Sequence, residues 1–404
     1  MKPIRMTDMQ RAAALACTAL VATLAQAGDA IPQPAEKAPW SWDMGYKADL
    51  LHRRVEGVRG NDAVGNYGLR VNADAGALFG WDGVTLHTEA LLNHGGKPNR
   101  HVGSTQGITN LEVAESAGRL YATWLEKDFG DGTALLAGLY DLNSDFYATS
   151  ASGLLIHPSF GIGIDFSQSG RNGPSIFPNL GLALRGKMQL GSSHYAQIAV
   201  IDGVPGDPAH PGRTTVRLSK HEGALLVGEA GWQPRGADGP LPERAGIGLW
   251  GYTQRSDRLD GTGTERNHGV YALAQALLRD SIDARTTGFV RAGLANRRIN
   301  AVETGADAGV LVERPFGDRG PAALTAGLAV ARYGRAHRDA RALDGTATAS
   351  HETALEIGAR WQPWGGVAVQ PLIQRIWNVG GQPGVHATIA GLRLEWAYDP
   401  AAAR

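Results

Sequence analysis

The sequence predicts an all-β protein: a transmembrane antiparallel β-barrel of about 16 strands, with a long third external loop folded inward. Three observations support this. Side chains alternate between apolar and polar over strand-length segments, connections alternate between short and long, and tryptophans fall near the predicted strand ends. A strand of a membrane barrel has one face toward lipid and the other toward the lumen, which produces this period of two.

The alternation is clear near the C-terminus of the predicted barrel. Ile357 takes one face of a strand, whereas Glu356 and Arg360 take the other, and the same pattern recurs at 69–77 and 392–398. We therefore expect Glu356 to point into the water of the lumen and Ile357 to point into lipid.

The connections fall into two classes that alternate along the chain. Short turns are predicted near 79–83, 129–133, 190–194, 279–283, 316–321 and 362–365, and a somewhat longer turn near 234–243. Long or polar connections are predicted near 53–64, 94–117, 143–179, 202–213, 256–267, 299–303, 336–350 and 378–384. Short turns at one end and long loops at the other are typical of an outer-membrane barrel.

A soluble β-sandwich or β-helix also has alternating strands. The barrel is favoured by the charges on the second face of strand after strand and by tryptophans placed for an interfacial girdle, namely Trp232, Trp361, Trp364, Trp377 and Trp396.

The chain divides into a predicted signal peptide at 1–27, a periplasmic linker at 28–39, the barrel at 40–398 and a C-terminal tail at 399–404. Lys2, Arg5 and Arg11 precede an apolar stretch, and Ala25–Ala27 forms the small-x-small pattern of a cleavage site. Export followed by barrel formation predicts the outer membrane of a Gram-negative bacterium.

Composition excludes several classes of function. Lys plus Arg (39) equals Asp plus Glu (39), which argues against a nucleic-acid partner, because phosphate binding needs a basic excess. Cys17 is the only cysteine and lies in the predicted signal peptide, which excludes a disulfide framework, a zinc ribbon and an iron–sulfur cluster. We predict no metal site and no cofactor. The chain has no Gly-x-Ser-x-Gly or His-Glu-x-x-His motif, and we predict that it is not an enzyme. A barrel-embedded hydrolase and a secreted soluble sugar-binding β protein stay open as alternatives.

The third external connection, 143–179, is the longest. A connection of this length is either functional or disordered. The connection contains large apolar residues that could form a packed core, among them Phe146, Tyr147, Phe160 and Phe166. We therefore expect it to fold inward and narrow the pore.

Three stretches resemble the OprB family of carbohydrate-selective porins. They are Ala137–Phe146 (AGLYDLNSDF), Asn172–Pro178 (NGPSIFP), and the last hairpin with Gln370–Gln374, Asn378–Gly381 and Gly391–Glu395. The likeness covers nearly the whole mature chain and departs from the family at His157-Pro158 and after Tyr398. It implies a sixteen-stranded barrel through which sugars diffuse passively, with polar and aromatic side chains at the constriction. A general or other small-solute porin is the alternative.

The candidate site residues follow from what a neutral sugar needs. Its hydroxyl groups lose hydrogen bonds to water in a narrow passage, so the wall must replace them without a barrier of one charge sign. The constriction candidates, at the ends of the long loop, are Asp141, Asn143, Asp145, Arg171 and Asn172. The wall candidates, chosen by alternation, are Arg70, Asp74, Glu89, Arg119, Glu356, Arg360 and Arg393, although any of these could instead be a solvated charge of the lumen or rim. The expected partners are sugars and outer-membrane lipid, and a homo-oligomer is compatible with this fold.

Overall fold

The computed structural model describes residues 38–234, 243–281, 284–315 and 321–401. The predicted signal peptide, most of the predicted linker and the last three residues of the tail lie outside the described residues.

In the described residues, sixteen β-strands form one closed antiparallel barrel, as the sequence predicts. Each strand pairs with its neighbours in sequence, and β1 pairs with β16 to close the sheet. The strands are β1 (Trp40–Val55), β2 (Val58–Asp74), β3 (Val84–Gly95), β4 (Gly118–Asp128), β5 (Thr133–Tyr140), β6 (Gly181–Leu190), β7 (His194–Asp202), β8 (Ala224–Trp232), β9 (Arg244–Asp257), β10 (Thr264–Ser281), β11 (Ala284–Ala295), β12 (Val302–Pro315), β13 (Pro321–Tyr333), β14 (His351–Trp364), β15 (Val367–Trp377) and β16 (His386–Tyr398). Because the sheet is closed, every strand is hydrogen-bonded to a neighbour on both sides, and no strand edge exposes unpaired backbone groups to lipid.

Short helices lie in the connections. Within the described residues the α-helices are α1 (Ala75–Phe79), α2 (Pro98–Val102), α3 (Ile164–Ser167) and α4 (Arg335–Leu343), and 3₁₀ turns occur at Leu142–Ser144, Pro158–Phe160 and Val379–Gly381. In this part of the chain no helix has both the length and the apolar character that a membrane crossing requires.

The first external connection differs from the prediction. The prediction of a long connection near 53–64 is wrong, because β1 and β2 continue through this segment and are joined by Glu56 and Gly57 alone. Both residues have positive φ (46° and 86°), as a two-residue hairpin turn of the primed type requires. The polar residues that suggested a loop pair across the two strands instead: Arg53 and Asp62 form an ion pair with an N–O distance of 2.7 Å.

The strand predicted at 69–77 ends earlier, at Asp74. The carboxylate of Asp74 accepts hydrogen bonds from the backbone N–H groups of Gly76 (2.8 Å) and Ala77 (3.2 Å) and so caps α1. Asp74 shares its face of β2 with Arg70, as alternation predicts, but its carboxylate is engaged in capping a helix at the periplasmic end of the strand.

The outer face of the barrel is apolar. The side chain of Ile357 is 49% exposed, whereas that of Glu356, the preceding residue, lies on the inner face and is fully buried. The two faces of β14 are therefore those that alternation predicts. Large apolar side chains are exposed all around the sheet, among them Leu50, Leu92, Leu135, Leu184, Ile198, Ile247, Leu249, Val290, Leu328 and Ile373. An exposed apolar surface of this extent marks contact with lipid. At its periplasmic border Trp361, Trp364, Trp396 and Tyr398 are exposed, as an aromatic girdle requires.

Placing a charge on this face tests the lipid assignment. Ile357 lies in the middle of β14, and we expect Ile357→Arg to destabilise the folded barrel by about 2–4 kcal/mol, the cost of arginine near a bilayer midplane. Equilibrium unfolding in lipid vesicles measures the cost, with Ile357→Val as the control. An arginine variant as stable as the valine variant would contradict a lipid-facing Ile357.

Candidate functional site

Two connections lie inside the barrel: L2 (96–117), after β3, and L3 (141–180), after β5. Phe146, Tyr147 and Phe166 of L3 are fully buried. Tyr147 stacks on Tyr271 of β10 with ring centroids 4.0 Å apart, and Phe166 stacks on Trp250 of β9 at 4.7 Å with the rings nearly parallel. L3 therefore has a hydrophobic core that it shares with the inner face of the wall.

Glycines in the wall allow L3 to approach closely. A Cβ atom at Gly293 of β11 or Gly305 of β12 would lie 2.1 Å or 2.5 Å from the carboxylate of Asp165, and one at Gly327 of β13 would lie 2.6 Å from the ring of Phe160. A side chain at any of these positions would force Asp165 or Phe160 to shift, so glycine lets L3 lie directly against the wall.

Arg291 of β11 satisfies the backbone of L3. Its guanidinium is buried and donates to the carbonyl oxygens of Tyr147 (3.0 Å), Ser159 (2.9 Å) and Gly161 (2.7 Å). The remaining Nε donates to Asp307 of β12 at 2.9 Å, which neutralises the buried charge. One side chain thus holds two distant parts of the loop against the wall.

Two buried glutamates provide the complementary acceptors. Glu356 of β14 accepts hydrogen bonds from the backbone N–H groups of Ile156 and His157, both at 2.8 Å. Glu229 of β8 accepts from the backbone N–H of Tyr147 at 2.9 Å and forms an ion pair with Arg244 at 2.6 Å. Unpaired backbone groups inside a protein are costly, so these contacts make an inward L3 stable.

L2 is held in the same way. Glu352 of β14 accepts from the Ser104 hydroxyl at 2.8 Å and from the backbone N–H groups of Thr105 and Gln106, both at 3.0 Å. L2 also contacts L3, since the Ser159 hydroxyl donates to the Gln106 side chain at 2.9 Å. The two loops therefore form one layer inside the barrel, named the inner layer below.

Between the inner layer and the rest of the wall lies a channel cavity of about 470 Å³. Its wall side comes from β1–β4, β15 and β16, and its other side comes from L2 and L3. The charged residues that line it are Lys47, Arg70, Glu89, Glu112, Asp141, Arg393 and Glu395, and its lining includes two aromatic side chains, Tyr121 and Phe177. The cavity thus offers hydrogen-bond donors, acceptors and ring faces within one passage.

The comparisons with known proteins agree with this architecture. The family model described as carbohydrate-selective porin, OprB family, matches residues 59–398. The chain belongs to this family. No curated protein sequence gives a match.

Solved structures share the porin's fold. The high-pH structure of Pseudomonas putida OprB aligns with a TM-score of 0.77 at 15% identity, covering 89% of this chain and 94% of that one. An anion-selective porin from Comamonas acidovorans aligns with a TM-score of 0.53 at 11% identity over 89% and 99% of the two chains. The protein is therefore a Gram-negative outer-membrane porin, a passive channel for sugars and not an enzyme.

The five constriction candidates lie in different places. Asp141 and Asn143 line the channel cavity. Asp145 lies away from it and forms an ion pair with Arg185 of β6 at 3.0 Å. Arg171 lines a separate cavity of about 460 Å³ near the external ends of β9 and β10. The side-chain amide of Asn172 donates to the Pro205 carbonyl at 2.6 Å and joins L3 to the next external loop. The structure therefore brings only the first two together in the channel.

The wall candidates also separate into groups. Arg70, Glu89 and Arg393 line the channel cavity. Arg360 forms an ion pair with Glu395, a cavity residue, at 2.9 Å. Arg119 is buried beneath external loops and donates to the carbonyls of Pro178, Pro211 and Glu115. Glu356 faces the lumen, but the expectation that it meets water is wrong, because the backbone of L3 covers it.

Sequence reasoning missed the contribution of β1 and L2. Lys47 could have been found, because it shares its face of β1 with Asp49 in the same alternating pattern. Glu112, Gln106 and Asn110 of L2 carry no such signal, since a polar loop looks the same inside or outside a barrel. Asn110 is held in the cavity by Arg393, which donates to its side-chain oxygen at 2.7 Å and to Asp49 at 2.7 Å and 2.8 Å.

The electrostatics of the cavity are nearly balanced. Three cations, Lys47, Arg70 and Arg393, face four carboxylates, Glu89, Glu112, Asp141 and Glu395. Burial raises the pKa of Asp141, while hydrogen bonds from the Tyr121 hydroxyl and the Asn143 backbone N–H oppose that rise. Burial also raises the pKa of Glu112, against a hydrogen bond from the Asn99 backbone. The passage therefore has no strong potential of one sign.

Removing an anchor of L3 tests the inner layer. Glu356→Gln keeps the size of the side chain but loses the charge that two backbone N–H groups share, and we expect L3 docking to weaken by about 1–3 kcal/mol. Protease cleavage within L3 of the folded porin should become faster. The matched control is Glu313→Gln, at an exposed glutamate of β12. Equal cleavage rates in the two variants would contradict an anchoring role.

We expect Asp165 to make the docking of L3 against the wall depend on pH. Its carboxylate lies against β11 and β12, receives a hydrogen bond from the Tyr147 hydroxyl at 3.2 Å, and is faced by Arg291 and Asp307. Burial raises its pKa from 3.8 to about 7. The docked loop therefore holds a proton that a released loop gives up, so docking is strongest below about pH 4 and weakens as the pH rises to about 7.

Asp165→Asn should remove this dependence, because the amide stays neutral at every pH. Hydrogen exchange of L3 amides at pH 4, 5.5 and 7.5, corrected for intrinsic rates, measures docking. Wild-type protein should lose protection across this series, whereas the variant keeps it. Asp260→Asn, in an exposed external loop, is the control and should behave as wild type. A wild-type loss of protection in Asp165→Asn would refute the assignment.

Proposed function

We propose that sugars cross this porin through the channel cavity, and that its charged side chains of both signs, with Tyr121 and Phe177, replace the water that a sugar loses. The observation that supports this is the convergence of donors, acceptors and aromatic rings on one passage of about 470 Å³. A sugar has hydroxyl groups that both donate and accept, and a less polar ring face that can lie on an aromatic side chain.

The arrangement suits passage rather than tight binding. Asp141 already accepts a hydrogen bond from the Tyr121 hydroxyl at 2.5 Å, and Arg70 is paired with Asp43 at 2.7 Å. A sugar hydroxyl that enters exchanges with these partners and with water, so the net gain for each contact is small. Weak contacts at several positions let a solute enter and leave quickly, as flux requires.

Selection for neutral solutes follows from the charge balance. With three cations and four carboxylates along the cavity, neither anions nor cations gain much over a neutral sugar. A porin whose cavity had an excess of one sign would concentrate ions of the other sign instead. We infer that this channel is weakly ion-selective and that its preference comes from hydrogen bonding.

The constriction is assigned to Arg70 and Glu89, which lie opposite each other on β2 and β3, and to Asp141 and Asn143 of L3. Arg70 and Glu89 come from a rigid wall, whereas Asp141 and Asn143 depend on the position of L3. Anything that moves L3 therefore changes the width of the passage and its hydrogen-bonding groups together.

Asp141→Asn tests the role of the cavity charges. The amide retains the ability to cap the following 3₁₀ turn, so the fold should persist, but one strong acceptor is lost. In planar bilayers, glucose should reduce single-channel conductance in a saturable way. We expect the half-saturating concentration to rise about fivefold in the variant, which corresponds to about 1 kcal/mol.

Asp74→Asn is the matched control for that experiment. It makes the same chemical change at a carboxylate that caps α1 outside the cavity, and asparagine is also a good N-cap. Glucose block in this variant should equal that of wild type. Loss of block in both variants, or in neither, would remove Asp141 from the sugar path.

A further inference from the structure

Three arginines lie on the lipid-facing side of the barrel at the external ends of neighbouring strands. Arg375 is two residues from the end of β15, Arg54 is one residue from the end of β1, and Arg59 is one residue from the start of β2. They are named the arginine row below.

The strand register makes the row continuous. Arg375 pairs with Thr388 of β16, Thr388 pairs with Arg54, and Arg54 pairs with Arg59. Directly paired residues of neighbouring strands share one face of a sheet. The Arg375 guanidinium donates to the Thr388 hydroxyl at 2.7 Å and lies over the ring of Trp377, 6.0 Å from its centroid. The row therefore runs across four strands, β15, β16, β1 and β2, on one face.

The charges of the row are not balanced by acidic side chains of this face. No outward-facing position of β15, β16, β1 or β2 in the described chain is acidic. The neighbouring Glu56, in the turn between β1 and β2, accepts a hydrogen bond from the backbone N–H of His386. Arg54 and Arg59 face each other directly, and like charges so placed are destabilising unless an anion lies between them.

The level of the row is that of lipid headgroups. From Thr388 to the aromatic Tyr398 at the periplasmic border, a tilted strand rises about 25 Å, which is the height of the apolar band of a membrane barrel. Directly below the row, the outward side chains of His52 and Asn61 form a hydrogen bond of 2.7 Å with each other. Further toward the periplasm, outward side chains such as Leu50, Ile373 and Leu394 are apolar and exposed. The arginines thus lie where acyl chains end and phosphates begin.

We propose that the arginine row is a binding site for the phosphate groups of an anionic lipid in the outer leaflet. Arginine forms paired hydrogen bonds with phosphate oxygens, and basic residues at a membrane surface attract anionic headgroups. A second copy of the chain is a poorer occupant, because self-association through this face would bring arginines against arginines. Free phosphate would lack the acyl chains that the apolar surface beneath the row accommodates.

Lipid binding to the folded porin tests the proposal. Full-length protein in detergent is titrated with lipid A, which carries two phosphates, and adducts are counted by native mass spectrometry. We expect Arg54→Gln/Arg59→Gln to weaken binding about 25-fold, a factor of about five for each arginine. The control, Arg335→Gln/Arg341→Gln, removes the same charge from exposed positions of α4 and should leave binding within about twofold of wild type. Heat-modifiable migration of each variant confirms that its barrel is closed.

Several results would overturn the assignment. They are an equal loss of lipid A in both double variants, no loss in the row variant, or equal binding of dephosphorylated lipid A to wild-type protein. Displacement of lipid A by millimolar inorganic phosphate would assign the row to the free anion. If the row variant keeps its lipid adducts but loses a dimer or trimer peak, the arginine row is a contact between two copies of the chain.

Discussion

The central constraint on this porin is that a long loop inside a barrel must satisfy its own backbone. L3 has no neighbouring strand to complete its N–H and C=O groups, and an unpaired group away from water is costly. Arg291, Glu356 and Glu229 meet this need from the wall, each with hydrogen bonds to backbone atoms of the loop. Charged residues on the inner face of these strands therefore act first as supports for the loop. Only on the remaining strands do such residues face the passage.

The barrel wall is consequently divided into two functional halves. From β8 to β14 the inner face carries glycines, stacked aromatic rings and buried anchors, and L3 lies against it. On β1–β4 and β16 the inner face carries Lys47, Arg70, Glu89 and Arg393, which line the channel cavity. The inner layer is the boundary between the halves. Because L2 and L3 contact each other as well as the wall, the two loops together form one side of the cavity.

Much of the wall is predictable because strand geometry is regular. A period of two assigns Ile357 outward and Glu356 inward from the sequence alone, and alternating connection lengths identify the two ends of the barrel. What alternation cannot distinguish is an inward charge that meets water from one that meets a loop, as with Glu356. All five constriction candidates were chosen because they lie at the ends of the long loop, and Asp141 and Asn143 line the cavity because the end of β5 fixes their position. Arg171 and Asn172 lie farther along L3, where the path depends on distant contacts that local sequence does not encode. L2 was missed for the same reason.

The most direct test of this account is the conductance of a porin that lacks 146–170. That segment carries the anchored part of L3 and one side of the channel cavity, while the residues that hold it belong to the wall and can be solvated by lumen water. If L3 forms the constriction, the variant should still insert into planar bilayers, conduct more than wild type and show weaker block by glucose. A variant that inserts with wild-type conductance and wild-type block would show that L3 does not form the constriction.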